Sequence, residues 1–322
     1  MTFIYEEDKS LILNASRIYV SYSGGADSTY ALVKMREYLD SVKLTSKLTA
    51  LHFNHGNKQS GAFESHCNDF CNELNINFES QNIKVEVSGE GFEAAARLKR
   101  MNILKSLAEN SLIIQGHHSD DQIETVLFRI IRGTGLKGIS GIPRVAKVGE
   151  NKILRPFLKE TKENILEFLS KNKINFIEDH TNNDISYSRN FLRKEVIPRI
   201  KDKWHSINEN VSKMTEITKD QNSLYEHYLK DKIDDLKDDG GLTIEGLKKL
   251  DTFERSEVIR LWLDMELVTT PNHSQMKEIE KSFFQSRQDA NPVIKFERSD
   301  RQRVGVILKK INKTLVMEKF DE

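Results

Sequence analysis

Four short apolar runs of the strand type alternate with four helical patterns in the first half of this 322-residue chain. The strand runs cover residues 17–21, 48–54, 82–87 and 111–116, and the helical patterns cover residues 28–39, 63–74, 92–108 and 120–132. Strands that alternate with helices need crossover connections, which give a parallel sheet. The sequence therefore predicts an α/β fold, a parallel Rossmann-like sheet with helices on both faces.

The second half of the chain is mainly helical in pattern. Helices are predicted over residues 162–171, 188–200, 203–232, 245–267 and 273–285, and two short strands over residues 293–297 and 304–310. The acidic, glycine-ended residues 234–241 are typical of a linker. We therefore predict an α/β domain over residues 1–202, a helical linker over 203–240 and a small α+β domain over 241–322.

The stretch SYSGGADSTYAL joins the first strand to the helix that follows it. Gly24 and Gly25 allow a tight turn and a close approach to a ligand, and the helix N-terminus favours an anion there. The stretch matches neither the GxxxxGKS/T nor the GxGxxG phosphate-binding pattern. We therefore expect the hydroxyls of Ser23, Ser28 and Thr29, and no lysine, to bind a phosphate.

Asp27 is the unusual residue of this turn, because a carboxylate repels phosphates unless a divalent cation lies between them. Mg²⁺ is commonly bound by one or two carboxylates together with substrate phosphates, so Asp27 is the predicted Mg²⁺ ligand. The alternative is a structural turn in which Asp27 or Ser28 caps the helix. The residues alone leave both interpretations open.

A second group of candidates lies in GHHSDDQIETVLFRIIRG. Its apolar residues form one helical stripe, which places Asp121 and Glu124 on the opposite face, one turn apart, where two carboxylates can hold one ammonium group. A capping box at Ser119 explains the first acidic residues structurally, but not Glu124. His117 and His118 either contact a nucleotide or are packed or capping histidines.

Two arginines are further candidates. Arg97 lies in an alanine-rich helical pattern that leaves space for its guanidinium, although a helix ion pair with Glu93 also explains it. Arg189 begins a helix after a polar loop, where it either contacts a phosphate or base or is an exposed cap.

The formal net charge is zero, but the charges are unevenly distributed. Residues 129–159 contain eight basic residues and one acidic residue, and residues 295–313 contain seven basic and two acidic residues. Such basic patches are typical of proteins that bind a polyanion, and solvated loops are the alternative interpretation.

The N-terminus lacks the features of a signal peptide, and the sequence has no apolar run long enough to span a bilayer. We therefore expect a cytoplasmic protein without membrane contact. The two cysteines, Cys67 and Cys71, fall on the apolar stripe of a predicted helix. We expect buried, inert thiols rather than a metal pair with His66.

Six motifs in residues 17–200 resemble a known family by their order and spacing. They are SGGADS, HFNHG, FEAAARLKR, GHHSDDQIETVLFRIIRGTGLKGISGI, RPFL and FIEDHTNNDISYSRNFLR. The first resembles the loop of N-type ATP pyrophosphatases, and the whole series resembles the tRNA(Ile)-lysidine synthetases. LTIEGLKKLDTFERSEVIRLWL resembles the first C-terminal domain of that family. One departure is Lys58, where the family usually has Leu-Arg after His-Gly.

The resemblance implies that residues 1–202 form a PP-loop ATP pyrophosphatase domain and that residues 241–322 bind tRNA. It also implies a two-step ligase. ATP adenylates O2 of the wobble cytidine, at position 34, of an isoleucine tRNA with a CAU anticodon. The ε-amine of L-lysine then displaces AMP and gives lysidine. A homodimer is one option for the assembly.

The resemblance also assigns roles to individual residues. ATP would be bound by Ser23, Gly24, Gly25, Ala26, Asp27, Ser28, His52 and His117, with Mg²⁺ at Asp27. The catalytic residues would be Asp27, Arg97, Asp121 and Arg189, and lysine would be bound by Asp121 and Glu124. The tRNA would be bound by Arg129, Arg132, Arg298, Arg301 and Arg303.

Two other functions fit parts of the sequence. A tRNA thiolase of the same superfamily would need reactive cysteines or a cluster, which a CxxxC pair on an apolar stripe does not supply. A non-catalytic RNA-binding protein that senses nucleotides would not need Asp27, Asp121, Glu124 and the two arginines. The sequence therefore favours the ligase.

Overall fold

The computed structural model describes residues 3–54, 56, 60–83, 92–178, 184–238, 240–287, 290–297 and 304–320. The chain divides into two compact units, Met1–Lys219 and Asp220–Glu322. The long helix Ile207–Leu236 contributes residues to both units. The division predicted from the sequence, at residues 202 and 240, stays a prediction.

The first unit combines helices with a six-stranded sheet. Its strands are β1 (Ile18–Ser21), β2 (Leu48–Asn54), β3 (Asn77–Asn82), β4 (Leu112–Ile114), β5 (Val145–Val148) and β6 (Asn151–Leu154). Its helices are α1 (Glu6–Asn14), α2 (Ala26–Ser41), α3 (Ser60–Glu73), α4 (Phe92–Ser106), α5 (Ser119–Ile131), α6 (Leu136–Ile139), α7 (Lys162–Lys171), α8 (Ser188–Phe191), α9 (Ile197–Lys203) and the first part of α10 (Ile207–Leu236). A π-helical turn, Leu192–Val196, joins α8 to α9.

The strands of this sheet lie in the order β3-β2-β1-β4-β6-β5. All neighbouring pairs are parallel except the β5–β6 hairpin. Successive side chains of a strand point to opposite faces, and accordingly Ile18 and Val20 pack into one apolar core while Tyr19 packs into another. The sheet is therefore covered on both faces, and the predicted fold class is confirmed.

The outer strands of this sheet differ from the prediction. The third strand is β3, Asn77–Asn82, whereas it was predicted over residues 82–87, of which 84–87 lie outside the described residues. It is an edge strand of sequence NFESQN, whose half-exposed polar side chains carry no apolar alternation. The β5–β6 hairpin was not predicted, because each of its strands has only four residues. Both differences concern the outer parts of the sheet.

The second unit contains an antiparallel sheet with the strand order β7-β8-β11-β10-β9. Its strands are β7 (Lys237–Asp238), β8 (Gly241–Thr243), β9 (Val293–Phe296), β10 (Gly305–Ile311) and β11 (Thr314–Phe320). Its helices are α11 (Ile244–Lys249), α12 (Thr252–Met265), α13 (His273–Ile279) and the end of α10, and a π-helical turn, Glu280–Phe284, follows α13. Within the segment predicted as a linker, residues 234–241, helix α10 ends and β7 pairs with β8.

None of the helices in the described part of the chain combines the length and the apolar composition that a bilayer span requires.

Candidate functional site

The loop between β1 and α2 packs tightly against a distant part of the chain. Gly24 has a φ of +84°, and a Cβ atom there would lie 2.8 Å from Cδ1 of Ile177, so a side chain at this position would be strained. The backbone N–H of Ile177 donates to the carbonyl of Gly24 at 2.8 Å. Gly25 is the N-cap of α2. The first N–H groups of α2 are therefore directed at this turn, as an anion site requires.

The hydroxyls of Ser23 and Ser28 lie close together in the loop, whereas the hydroxyl of Thr29 is buried. The Oγ atoms of Ser23 and Ser28 lie 3.1 Å apart, and the N–H of Ser23 donates to Oγ of Ser28 at 3.1 Å. Thr29 is fully buried and donates its hydroxyl to the carbonyl of Gly24. The expectation that Thr29 binds phosphate is therefore wrong, because its hydroxyl closes the turn. Ala26 is buried and offers its backbone alone.

Asp27, His118 and Lys162 form a group that we call the loop cluster. Nζ of Lys162 lies 2.6 Å from Oδ1 of Asp27, and Nε2 of His118 lies 3.5 Å from the same oxygen. Burial opposes the charge of Asp27, but His118 and Lys162 outweigh it and hold the pKa of this carboxyl at about 2. The sequence predicted that no lysine binds the phosphate; in the structure Lys162, from the first turn of α7, reaches the carboxylate of this turn, and its role toward a phosphate stays a prediction.

His118 connects this cluster to α5. Its Nε2 lies 3.5 Å from Oδ2 of Asp121, and its Nδ1 lies 3.6 Å from Oδ2 of Asp120. Burial lowers the pKa of His118, but the hydrogen bond to Asp27 and the three carboxylates raise it above its ordinary value. The nearby carboxylates of α2 and α5 therefore favour the protonated form of this imidazole. Its backbone N–H also caps α5 by donating to Asp121 at 3.0 Å.

The two histidines predicted to bind ATP, His52 and His117, lie near the carboxyl ends of β2 and β4, the strands on either side of β1. His52 is buried, with Nδ1 2.9 Å from the carbonyl of Tyr22, which precedes the glycine loop. Burial lowers the pKa of His117 to about 4, so this imidazole is neutral at pH 7. A Cβ atom on Gly116 would lie 2.5 Å from the carbonyl oxygen of Asp27, so the end of β4 lies directly against α2.

Asp121, Glu124, Arg189 and Arg193 form a second group, which we call the helix cluster. Oε2 of Glu124 accepts hydrogen bonds from Nη2 and Nε of Arg193 at 2.6 and 3.0 Å. Nη1 of Arg189 lies 3.6 Å from Oε1 of Glu124, and Nη2 of Arg193 lies 3.5 Å from Oδ1 of Asp121. One guanidinium therefore lies between the two carboxylates that were predicted to hold an ammonium group.

The prediction that Glu124 lies on an open polar face of α5 is wrong. Glu124 is 2% exposed and Thr125 is 5% exposed, whereas Ile130 and Ile131 of the predicted apolar stripe are 50% and 71% exposed. The reason is that this side of α5 packs against α8 and the π-helical turn, whose arginines neutralise the buried carboxylate. A buried charge is tolerated only when it is paired in this way.

Arg97 is exposed on α4, close to the same sheet edge. The positive charge of Arg97 contributes to the lowered pKa values of His117 and Arg155. Burial is the larger cause for Arg155, whose pKa falls to about 10, and its guanidinium donates to Gln115 and to the carbonyl of Pro143. The structure therefore places the charge of Arg97 within electrostatic range of His117 and Arg155.

The basic patch at residues 129–159 is less available than its charge count predicted. Arg129 donates to the carbonyls of Gly138 and Gly141, and Arg144 pairs with the buried Asp8. These guanidinium groups hold loops and the N-terminal helix in place. Arg132 is exposed, with its guanidinium carbon 5.3 Å from the ring centroid of Phe128.

Four residues named from the sequence lie outside the described residues. They are Lys58, Arg298, Arg301 and Arg303.

The two cysteines are buried and free, as expected. Cys67 and Cys71 are both 0% exposed, and burial raises the pKa of each thiol to about 12. In the part of the chain that the structure describes, no group of three or more His, Cys, Asp or Glu residues is arranged to hold a metal ion. The prediction that both thiols are buried is therefore confirmed.

Two family models match separate parts of the chain. Residues 3–200 match the PP-loop domain, and residues 242–304 match the TilS substrate binding domain. A solved U34-tRNA thiolase, NcsA from Methanococcus maripaludis with its 4Fe-4S cluster, has a similar fold, with a TM-score of 0.50 and 16% identity over 66% of this chain and 78% of its own. The fold, the glycine loop and the first match define a PP-loop domain, which is of the ATP-utilising class.

Curated relatives narrow this class. tRNA(Ile)-lysidine synthase from Wigglesworthia glossinidia brevipalpis is 34% identical over 92% of this chain and 75% of its own length. The enzymes of the same name from Coxiella burnetii and Buchnera aphidicola are 31% and 34% identical over 89% and 85% of this chain, and 64% and 63% of theirs. The chain belongs to the tRNA(Ile)-lysidine synthase family, and it spans 63–75% of the lengths of these relatives.

Two residues of the clusters were not predicted from the sequence. Lys162 lies 135 positions after Asp27, in an ordinary polar first turn of a helix, and nothing in its local sequence marks it. Arg193 could have been predicted from the sequence, because it follows Arg189 by four positions and therefore shares a helix face with it. That spacing predicts two guanidinium groups directed at one site.

Proposed function

We propose that this chain is a ligase that attaches lysine to C2 of the wobble cytidine, at position 34, of an isoleucine tRNA with a CAU anticodon. In the first step, O2 of the cytidine attacks the α-phosphorus of ATP, and pyrophosphate leaves. In the second step, the ε-nitrogen of L-lysine attacks C2, and AMP leaves with O2. The nitrogen loses a proton, and the products are lysidine, AMP and pyrophosphate.

One observation carries this proposal: a single imidazole joins the glycine loop to the acidic start of α5. Nε2 of His118 lies 3.5 Å from a carboxylate oxygen of Asp27 and 3.5 Å from one of Asp121. A nucleotide phosphate held at the loop and a cation held at α5 would therefore lie side by side. A reaction that joins an amine to an adenylated base needs this juxtaposition.

For the first step, the loop offers the donors that a triphosphate needs. The N-terminus of α2 and the hydroxyls of Ser23 and Ser28 face the turn, and Lys162 adds a positive charge. Arg97 and Arg189 would stabilise the charge that develops on the α-phosphate. His52 and His117, at the ends of β2 and β4, would border the nucleotide.

The residues at the loop fit Mg²⁺ bound together with ATP. The side chain of Asp27 is ionised and 39% exposed, and Asp121 lies near the same nitrogen of His118. One or two carboxylates with substrate phosphates are the usual Mg²⁺ ligands in phosphoryl-transfer sites. When bound, Mg²⁺ would neutralise charge on the leaving pyrophosphate.

For the second step, Asp121 and Glu124 would bind the lysine substrate. In the structure a guanidinium already occupies the space between these carboxylates, so the lysine ammonium would exchange with Arg193. Asp121 is the more open of the two, with 18% of its side chain exposed against 3% for Glu124. Asp121 would therefore accept a proton from this ammonium, which leaves the nitrogen lone pair free to attack C2.

The tRNA would be bound by exposed basic residues. Arg132 meets this condition, whereas Arg129 is engaged with backbone carbonyls and would contribute mainly by shaping its loop. Arg298, Arg301 and Arg303 complete the proposed set in the second unit.

The proposal is tested by pyrophosphate release from ATP, with lysine and transcribed tRNA each added or omitted, followed by mass spectrometry of the nucleosides. We expect release to require tRNA, and a lysine-modified cytidine to appear only when lysine is also present. Absence of pyrophosphate release under every condition would favour the RNA-binding protein. Release that depends on a sulfur donor would favour the thiolase, which the buried thiols do not support.

A further inference from the structure

The helical segment from Ser188 to Lys203 contacts the helix cluster on one side and a surface groove on another. One side brings Arg189 and Arg193 to Glu124. The other side borders a groove of about 400 Å³. The groove is lined by Phe191, Glu195, Val196, Arg199, Ile200 and Trp204. It therefore adjoins the candidate site along the same stretch of helix.

Two aromatic rings of this groove are open to solvent. Phe191 is 47% exposed and Trp204 is 56% exposed. Neither ring stacks on another aromatic ring in the part of the chain that the structure describes. Large apolar groups exposed next to one another mark an interaction site more often than an ordinary surface. The groove is therefore an unpartnered surface that a ligand can cover.

The charge around the rings is mainly positive. Nζ of Lys203 lies 5.2 Å from the ring centroid of Trp204, and the side chain of Arg199 is 81% exposed. Residues 187–204 contain six Lys or Arg and two acidic residues. Glu195, one of the two, lies 3.6 Å from Arg199 and reduces its charge only in part. Exposed rings within a positive segment are the combination that single-stranded nucleic acids require, because bases stack and phosphates are neutralised.

We propose that this groove binds an unpaired base of the RNA substrate close to the nucleotide that is modified. The inference deepens the proposed function and rests on it, since it assumes that RNA reaches the helix cluster. Six residues separate Arg193 from Arg199, which is about 9 Å along a helix. Stacked nucleotides repeat at about 3.4 Å, so the groove lies two to three nucleotides from the site. An anticodon loop offers unpaired bases at that distance.

The two tryptophans of the chain make a direct test possible. Trp204 is 56% exposed, whereas Trp262 is 5% exposed and belongs to the core of the second unit. In the full chain with Trp262→Phe, tryptophan fluorescence reports on Trp204 alone. We expect a saturating amount of the tRNA transcript, or of a short single-stranded RNA with the anticodon-loop sequence, to reduce acrylamide quenching of Trp204 several-fold. Unchanged quenching in the presence of bound RNA would overturn the proposal.

Two variants test the stacking energy. Stacking on an aromatic side chain is worth about 1–3 kcal/mol per base, so Phe191→Ala and Trp204→Ala are each expected to weaken RNA binding roughly 5- to 150-fold. Trp204→Phe keeps a ring and is expected to retain most of the affinity. The matched control is Phe253→Ala, an exposed ring of α12 at 71%, which is expected to change nothing.

The salt dependence separates stacking from charge. Trp204→Ala is expected to leave the slope of log K against log salt unchanged, whereas Arg199→Gln is expected to flatten it by about 0.7. Equal affinity in Trp204→Ala and the unsubstituted chain would overturn the proposal. Quenching that falls with protein concentration in the absence of RNA would also overturn it, and would assign the groove to a protein contact. If the unsubstituted chain binds no tRNA, the proposed function itself fails.

Discussion

The loop cluster and the helix cluster both place carboxylates at one edge of the sheet, but they hold them differently. In the loop cluster, Asp27 is 39% exposed and its counter-charge comes from a lysine and a histidine on other elements. In the helix cluster, the side chain of Glu124 is 3% exposed, and its Oε2 lies 2.6 Å from Nη2 of Arg193. Both carboxylates are paired with a cation of the chain, but the first is exposed enough to reach an incoming ligand, whereas the second is almost completely buried.

This difference assigns different tasks to the clusters. An open, ionised carboxylate beside a helix N-terminus suits a ligand that brings both phosphate and metal. A carboxylate pair bridged by a guanidinium suits a ligand that brings a positive charge and can replace that guanidinium. The variants below are chosen to separate these tasks, and are ordered by the size of the effect that we expect.

The largest effect is expected for Asp27→Ala. Loss of this carboxylate removes the proposed Mg²⁺ ligand, and we expect pyrophosphate release to fall at least about 100-fold, as when a preorganised electrostatic group is lost. The affinity for tRNA should stay nearly unchanged, because other residues bind the RNA. The control is Asp40→Ala, an exposed residue of the same helix. Turnover near that of the unsubstituted chain would contradict the role of Asp27.

Lys162→Met tests whether the lysine of the loop cluster serves the nucleotide. We expect the KM for ATP to rise roughly tenfold or more, since hydrogen bonds to charged groups are worth about 1.5–3 kcal/mol, with no change in the KM for lysine. Lys171→Met, at the far end of α7, removes a similar but exposed ion pair and serves as the control. A change in the KM for lysine instead would mean that the two clusters do not bind separate substrates.

Arg193→Met tests the exchange of cations in the helix cluster. If lysine must displace Arg193, its removal is expected to lower the KM for lysine about fivefold, as the loss of a competing ion pair of about 1 kcal/mol would do. The free energy of unfolding should fall by about 1–3 kcal/mol, because buried Glu124 loses its nearest donor. Arg17→Met, at an exposed ion pair with Glu79, is the control for both measurements. A higher KM would mean that Arg193 positions the carboxylates rather than competes for them.

A smaller effect is expected from pH. The folded-state pKa of His118 lies above its ordinary value of 6.5, so its stabilisation is fully present below pH 6.5 and is lost as the pH rises through the folded-state value. The groups that face it are Asp27 of α2 and Asp120 and Asp121 of α5. We expect Tm to fall as the pH is raised above 6.5, and this slope to be weaker in His118→Asn. An unchanged slope in that variant would contradict a protonated His118.

The sequence predicted more of the loop cluster than of the helix cluster. It missed the partners that are distant along the chain. The glycine loop is a contiguous motif, and its turn, its helix N-terminus and Asp27 can all be inferred from neighbouring residues. The partners Lys162 and Arg193 are 135 and 69 positions from the carboxylates that they bind, and only the fold brings them together. The burial of Glu124 has the same origin, because an apolar stripe does not show that the opposite face is also covered.

The same limit applies to the fold. Central strands such as β1 and β2 are apolar and were predicted, whereas the polar edge strand β3 and the short hairpins β5–β6 and β7–β8 were misplaced or missed. Their strand conformation is imposed by backbone pairing with a neighbour, which local sequence does not report.

The central claim is that the loop cluster serves ATP and the helix cluster serves lysine. The most direct test measures adenylation and lysine transfer separately in Glu124→Gln. With α-labelled ATP and tRNA but no lysine, we expect adenylated tRNA to form at nearly the rate of the unsubstituted chain, because the loop cluster is intact. On addition of lysine, the KM for lysine is expected to be roughly 10- to 100-fold higher, which corresponds to one lost charge-assisted hydrogen bond. Equal loss of adenylation and lysine transfer would contradict this division, and an unchanged KM for lysine would place the amino-acid site elsewhere.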